Sequence, residues 1–277
     1  MKTIVAAVDF SAISLNAVFY AADMACIVNS NLSLVHVCPF PMALGVGEVA
    51  TPLYSMDKMI EDAQEQMNEL KEIVYGRTGA IKNINTEVRQ GDVVTELNEY
   101  CLTQDIYAIV MGSESGTAWE RMFFGAKTIT ALRQFTWPVI VVPPGTQFKN
   151  LRKIGLACDF RKVLETFPLK EIKTLMDEFH PEFHVLHVST ETIDFFGEET
   201  EEEFGWLQEI IGEFKPKYHF LKGKDIEKVL AEFSDKIDLD LLIVIPKKHN
   251  LASKLFEHSH SKRLVLQSHV PVMAVHE

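Results

Sequence analysis

The feature that most constrains the fold of this chain is an internal duplication. Residues 2–10 end in Asp-Phe and return as residues 153–160, and the run at 34–37 returns at 186–188. In these pairs the second copy follows the first by 150 or 151 positions. Three later pairs are separated by 132 to 134 positions: Gly91-Asp92 with Gly223-Lys224, 109–111 with 243–245, and 137–139 with 270–272. The sequence therefore predicts two copies of one domain that differ mainly by one shortened loop region.

Each copy alternates apolar runs, which are typical of buried strands, with amphipathic stretches, which are typical of helices. The predicted strands are 3–8, 32–37, 85–89, 106–111 and 139–142, then 153–158, 183–188, 217–221, 240–245 and 271–275. Predicted helices in the first copy are 11–30, 56–78, 93–103 and 127–134. The apolar face of the first helix is predicted to comprise Leu15, Val18, Phe19, Ala22 and Cys26.

This alternation predicts an α/β fold, because strands that are separated by helices form parallel sheets with helices on both faces. We expect two tandem open parallel five-stranded sheets flanked by helices. The predicted domains are residues 1–145 and 151–277, and Thr146 to Leu151 is the predicted linker.

Composition is that of a globular protein: 47% of the residues are hydrophobic and 24% are charged, which argues against disorder and fibrous architectures. The net charge is −12, and both halves carry more acidic than basic residues. Nucleic acid is therefore not expected as a ligand, because phosphate contacts need clustered Lys and Arg.

Targeting and redox signals point to the cytoplasm. The first apolar run ends at Asp9, too early for a signal peptide, and no apolar stretch of about 20 residues follows. The four cysteines (Cys26, Cys38, Cys101 and Cys158) form no Cys-x2-Cys pair, so we expect reduced thiols rather than disulfides or a zinc site. We expect a cytoplasmic protein without membrane contact.

The candidate ligand site lies where the first-copy strands end, because ligands of open parallel sheets bind at the carboxyl ends of strands, near the point where strand order reverses. Asp9, Val37 and Gly112 follow or end three of these strands. The segment 111–116 is rich in glycine, and Gly125 opens the next predicted helix. Glycines and helix N-terminal amides favour close approach of a phosphate. Such a loop could wrap a phosphate chain while Val37 and Met111 pack against a base.

In these features the chain resembles a tandem universal stress protein. The resemblance spans nearly all residues, through the strand-one Asp, the strand-two His-Val, the strand-four loop and the final Pro-Val strand. It implies the Rossmann-like fold of the adenine nucleotide α-hydrolases. It also implies that the last strands of the two domains pair, so that the chain is an internal pseudo-dimer; a further homodimer stays open.

Nucleotide-binding members of that family carry Gly-x2-Gly-x9-Gly-Ser/Thr after strand four. Gly112 and Gly125 match the first and third glycines, whereas Ser115 stands at the middle position and Gly116 follows one residue late. Ala126 replaces the closing hydroxyl residue, and Thr128 lies two positions on. In the second copy Pro246 and Ser259 replace Gly112 and Gly125, and a proline fixes its torsion and removes a donor. Nucleotide binding is therefore expected in the first domain only.

Several candidate residues also fit structural roles. Asp9 and Asp159 suit the start of a helix, where Asp is a common cap. His36 and His187 are expected to be buried histidines with hydrogen-bond partners. The histidines around His258 lack a carboxylate or cysteine at zinc spacing, so no metal site is expected.

Two functions remain open at this stage. One is a stress-response regulator that binds ATP or AMP, with Mg²⁺ as a candidate companion ion. In it, Asp9 contacts the nucleoside, Val37 and Met111 flank the base, and the loop faces ribose and phosphates through Gly112, Gly116, Gly125 and Thr128. The other is a nucleotide-free module for dimerisation and docking of an unknown protein partner. The chain has no Gly-x-Ser-x-Gly elbow, Cys-His pairing or Walker lysine loop. We therefore expect no enzyme, or at most slow ATP hydrolysis; an ATP-consuming ligase or transferase would lack its catalytic loop.

Overall fold

The strands follow the predicted order along the chain. The computed structural model describes residues 1–40, 56–79, 81, 83–113, 135–160, 163–189, 198–246 and 268–275. Within them the first five strands are β1 Thr3–Val8, β2 Asn31–Cys38, β3 Ile84–Gln90, β4 Ile106–Gly112 and β5 Val139–Val142. The next five are β6 Lys153–Ala157, β7 Glu182–Ser189, β8 Lys217–Lys222, β9 Leu241–Val244 and β10 Val272–Ala274.

Helices connect most of these strands. In the described part of the chain they are α1 Ala12–Ile27, α2 Met56–Thr78, α3 Val93–Leu102, α4 Val163–Thr166, α5 Leu169–Phe179, α6 Glu198–Ile211 and α7 Ile226–Lys236. A 3₁₀ turn at Gly212–Phe214 extends α6, whereas residues 146–151 contain no helix or strand. The helix predicted at 127–134 lies outside the described residues. None of the described helices combines the length and apolar character that crossing a lipid bilayer requires.

The strands form one sheet in the order β3-β2-β1-β4-β5-β10-β9-β6-β7-β8. All neighbours are parallel except β5 and β10, which pair antiparallel with Val141 opposite Val272 and Ile140 opposite Met273. The predicted α/β class is confirmed, and so is the pairing of the last strands that the resemblance implied. The two five-stranded sheets are not separate, however, because this pairing joins them into one ten-stranded sheet.

Two hydrophobic cores lie on opposite faces of the sheet. One packs under α1, α2, α5 and α6 and contains Ile4, Ile140 and Ile154. The other packs under α3 and α7 and contains Val5, Val139 and Leu242. Successive strand residues enter opposite cores, which explains why the central strands are apolar throughout. Each core includes residues from both halves of the chain.

Helix α1 is buried more widely than its sequence pattern predicted. Leu15, Phe19 and Cys26, expected on the buried face, only pack at the margin of the core. The fully covered positions instead include Ala17, Ala21 and Met24. The buried ring of Tyr20, also on α1, meets Phe148 of the predicted linker edge-on at 5.0 Å. The helix thus packs against the sheet on one side and against Phe148 on another.

The halves repeat local details as well as strand order. Phe10 and Phe160 both have positive φ angles, 63° and 49°. The backbone N–H of Gly91 donates to the Cys38 carbonyl at 3.0 Å, and that of Gly223 donates to the Ser189 carbonyl at 3.1 Å. These equivalent contacts support the duplication that the sequence predicts.

The helix caps of the two halves differ in position by one residue. Asp92 directly follows Gly91 and caps α3. In the second half the cap of α7 is Asp225, not Lys224. The capping role has therefore moved one position along the chain, although Gly91 and Gly223 remain equivalent.

Candidate functional site

The carboxyl ends of β1, β2 and β4 bring four predicted site residues to one edge of the sheet. Strand β1 lies between β2 and β4, and the strand order of the first half reverses there. Val8 is opposite His36, and Ala6 is opposite Val110. Asp9 therefore lies just beyond the centre of this edge, with Val37 and the Met111-Gly112 pair on its two sides.

Val37, Ala7 and Met111 form an apolar trough on the face that carries α3. Val37 and Met111 are buried there, and the half-buried Ala7 packs against the same core. Ala7 is opposite Val35 of β2, so it lies on the strand between Val37 and Met111. A small side chain flanked by two larger ones leaves room for a flat apolar group. The sequence reasoning missed Ala7, whose signal is its small size at the last inward position of β1.

Asp9 is exposed and organises the turn into α1. Its Oδ1 accepts from the Ser11 backbone N–H at 2.9 Å, and its own N–H donates to Ser14 Oγ at 3.2 Å. Partial burial raises the pKa of Asp9, but the bonds with Ser11 and Ser14 outweigh it and lower the pKa overall. The side chain is thus a carboxylate at neutral pH.

The residue that caps α1 is Ser11, not Asp9. Its side chain accepts from the Ser14 N–H at 3.1 Å, as an N-cap does. Asp9, two residues before the cap, supports it by accepting the Ser11 N–H. The spacing Asp9-x-Ser11-x2-Ser14 is the sequence signal for this arrangement, and it was not used in the prediction.

Gly112 is explained by packing. A Cβ built on Gly112 would lie 2.6 Å from Cγ2 of Ile13 and 2.9 Å from its carbonyl oxygen. This missing side chain points toward α1, on the face opposite Met111. The sequence reasoning attributed this glycine to close approach of an anion, whereas the structure gives it a role in seating α1 on β4.

The remaining predicted loop residues lie outside the described part of the chain: Ser115, Gly116, Gly125, Ala126 and Thr128. The same holds for Ser259 and the histidines around His258. Among the residues that are described, no group of three or more His, Cys, Asp or Glu side chains could hold a metal ion.

His36 on β2 and His187 on β7 are half-buried, and each is hydrogen-bonded to a backbone carbonyl. His36 Nδ1 lies 2.7 Å from the Val8 carbonyl, and His187 Nδ1 lies 3.0 Å from the Cys158 carbonyl. Nδ1 donates in both cases, because a carbonyl oxygen can only accept. Histidines with hydrogen-bond partners were predicted, but both remain partly exposed rather than fully buried.

Two cavities in the described part of the molecule lie away from this edge, and neither is lined by Asp9, Val37, Met111 or Gly112. One, of about 710 Å³, lies along residues 145–152, between Tyr20 and Asp240. The other, of about 220 Å³, lies beside Phe10 and His36 on the face that carries α2.

Comparison with known proteins places the fold and the family. Residues 1–143 match the universal stress protein family, and a comparison with curated proteins finds no significant match. A universal stress protein from Archaeoglobus fulgidus DSM 4304 is 18% identical, with a TM-score of 0.71 over 99% of this chain and 96% of that chain.

Two further solved structures are similar. A protein from Pseudomonas aeruginosa UCBPP-PA14 that carries the same family name is 12% identical, with a TM-score of 0.63 over 100% of this chain and 93% of that chain. A universal stress protein in complex with cAMP is 17% identical and aligns with 52% of this chain and 98% of its own length, with a TM-score of 0.40. Because the family match spans more than half of the sequence, the chain belongs to the universal stress protein family.

Proposed function

We propose that this protein is a stress-response regulator that binds an adenine nucleotide, ATP or AMP, at the carboxyl edge of its first half. The observation that supports it best is the apolar trough of Val37, Ala7 and Met111 with a carboxylate at its end. A purine ring is flat and apolar on both faces, so it fits over Ala7 between the two larger side chains.

The charge of Asp9 determines which end of the bound nucleotide faces this residue. A carboxylate only accepts hydrogen bonds, so Asp9 suits a ribose hydroxyl or an exocyclic amine and repels phosphate. The phosphates therefore point away from Asp9, toward β4. The N–H of Ser113 already donates to the Val142 carbonyl at 2.9 Å, so amides that hold phosphate come from residues after 113. Mg²⁺ would accompany ATP through its phosphate oxygens.

Binding without efficient catalysis is the role that this edge supports. A general base works best with a pKa near the operating pH, whereas the pKa of Asp9 is lowered by its bonds with Ser11 and Ser14. The carboxylate is therefore a weak base, and at most slow ATP hydrolysis is expected.

The second candidate function is a nucleotide-free dimerisation and docking module. One observation favours it: contact with Ile13 accounts for Gly112 without any ligand. The departures at Ser115 and Ala126 from the family's loop pattern point the same way.

Calorimetric titration of ATP, AMP and GTP into the purified chain distinguishes the two functions. Ala7→Leu fills the trough and should weaken ATP binding at least tenfold. The matched control is Ala157→Leu, which places the same side chain at the equivalent position of β6 and should leave the affinity unchanged. No heat with any nucleotide would favour the docking module, and undiminished affinity in folded Ala7→Leu would place the nucleotide elsewhere.

A further inference from the structure

Two imidazoles of the second half face each other away from the proposed nucleotide edge. His184 lies on β7 and is 4% exposed, and His219 lies on the neighbouring strand β8. His184 Nδ1 is 2.9 Å from His219 Nε2, and the rings are nearly parallel, with an interplanar angle of 16°. A contact of this length between two ring nitrogens requires one proton between them.

Charged residues of the sheet surround the pair. Glu182 Oε1 lies 2.7 Å from His184 Nε2, and Lys217 Nζ lies 2.8 Å from the same oxygen. The Nε2–H of His184 is not well aligned with that oxygen, so this contact is not a well-formed hydrogen bond, and it gains an attraction of opposite charges only when the ring is protonated. The ammonium group of Lys153, on β6, donates a hydrogen bond to the Ile237 carbonyl at 2.8 Å. It also adds positive charge near His184.

Helix α7 covers the pair with a largely apolar surface. The ring of Phe233 lies 4.9 Å from that of His219. The buried carboxylate on this helix, Glu227, has an interaction partner of its own. The rings are therefore shielded from water on this side.

The geometry limits how many protons the pair can hold. A lone pair cannot face a carboxylate oxygen at 2.7 Å, so Nε2 of His184 carries a proton and Nδ1 accepts from His219 when both rings are neutral. One added proton is tolerated, because the bridging proton can then belong to either ring. A second added proton puts N–H groups on both sides of the 2.9 Å contact, and they repel each other.

Electrostatics favour the neutral pair. Burial lowers the pKa of His184, Glu182 opposes this, and Lys217 and Lys153 lower it further. Burial, His184 and Lys217 lower the pKa of His219, and Glu182 opposes them. Both rings are therefore neutral at pH 7 and become charged only in acid.

The position of β8 makes the pair important for strand pairing, since among the described strands β8 is an edge strand whose one neighbour is β7. The opposite edge strand, β3, lacks such a pair. In the second half His219 of β8 is opposite Leu186 of β7. In the first half the equivalent of His219 is Glu87 of β3, which is opposite Val35 of β2. By the same alignment, the position of His184 is taken by Ser33 in the first half.

We propose that His184 and His219 form an acid-sensitive latch that holds edge strand β8 on β7 near neutral pH and releases it when both rings are protonated. Release uncovers the hydrogen-bonding edge of β7, which can then accept another strand. The inference does not depend on nucleotide binding in the first half.

Hydrogen exchange of the full chain, corrected for the intrinsic effect of pH, tests the latch. Between pH 7.5 and pH 5.0, protection of residues 217–222 should fall at least tenfold, while residues 84–90 in β3 stay protected. His219→Gln keeps a donor for His184 but cannot titrate, so its β8 protection should not depend on pH. Lys217→Met removes a positive charge and should move the midpoint of release to higher pH.

Four results would overturn the latch. They are equal β8 protection at both pH values, an equal loss in β3, a persistent acid loss in His219→Gln, and an unchanged midpoint in Lys217→Met. The last variant separates titration from a purely structural role, because packing alone gives no reason for a shifted midpoint.

Discussion

Gly112 and Ile13 meet where β4 ends against the first turn of α1: a Cβ on residue 112 would lie 2.6 Å from Cγ2 of Ile13 and 2.9 Å from its carbonyl oxygen. Backbone atoms of a helix cannot move aside as the end of a flexible side chain can. The contact therefore requires glycine at this position, with or without a ligand at the neighbouring edge.

Gly112→Ala should accordingly destabilise the protein by about 1–3 kcal/mol, the usual cost of overpacking. Urea denaturation measures the free energy of unfolding. Gly76→Ala is the matched control: nothing lies within 4 Å of its added Cβ, and within a helix Ala is favoured over Gly by about 0.5–1 kcal/mol. If Gly112→Ala is as stable as the wild type, Ile13 does not fix this glycine.

Ser11 couples the cap of α1 to the charge of Asp9. Ser11→Ala removes the side-chain acceptor for the Ser14 N–H and should cost about 0.5–2 kcal/mol of stability. It also removes one of the groups that lower the pKa of Asp9, so that pKa should rise. Carboxylate titration by NMR measures this rise, and an unchanged pKa would show that the Ser11 side chain does not act on Asp9.

The bond between Tyr107 and Glu178 links the two halves and predicts a loss of stability in alkali. The buried Tyr107 hydroxyl donates to Glu178 at 2.5 Å. Burial, this bond and the carboxylate charge raise the pKa of Tyr107. The resulting stability is present in full below the unfolded value, about 10, and is lost as pH rises from there toward the folded pKa.

Tyr107→Phe should therefore lower stability at pH 7 by about 1 kcal/mol and flatten the decline above pH 10. Tyr75→Phe is the control, because Tyr75 is 57% exposed. Chemical denaturation between pH 7 and pH 11 provides both measurements. An equal alkaline decline in both variants would assign it to other groups.

The sequence predicted the parts of this fold that depend on local pattern. An apolar run such as 3–8 is buried on both faces wherever the chain folds as α/β, so β1 was predicted with its observed bounds. The widely buried face of α1 could not be predicted, because contact between Tyr20 and Phe148 brings together segments that are far apart in sequence.

The same reason limits prediction of the sites. The sequence predicts that Asp9, Val37 and Met111 lie at one edge of the sheet, because parallel strands bring their carboxyl ends together; that they bind a ligand stays a prediction. The contact of His184 with His219 depends on the register between β7 and β8, and the contact of Gly112 with Ile13 depends on how a helix seats on its strand. Neither leaves a signal in composition or spacing.

Phe10 and Phe160 provide a final test, because one backbone geometry serves two different environments. Both have positive φ, and both rings lie on a histidine, at 4.7 Å from His36 and 4.6 Å from His187. Phe160 is 1% exposed, and the ring of Phe204 also meets it at 5.2 Å. Phe10 is only half-buried and lines the small cavity beside α2.

Glycine at either position relieves the left-handed backbone but removes the ring. We expect Phe160→Gly to lower the free energy of unfolding by about 3–4 kcal/mol, near the usual cost of truncating a core Phe. Phe10→Gly should cost about half as much, because less of the ring is buried. Urea denaturation of both variants compares them directly. Equal losses would mean that the ring of Phe10 contributes as much packing as the ring of Phe160, despite the cavity beside it.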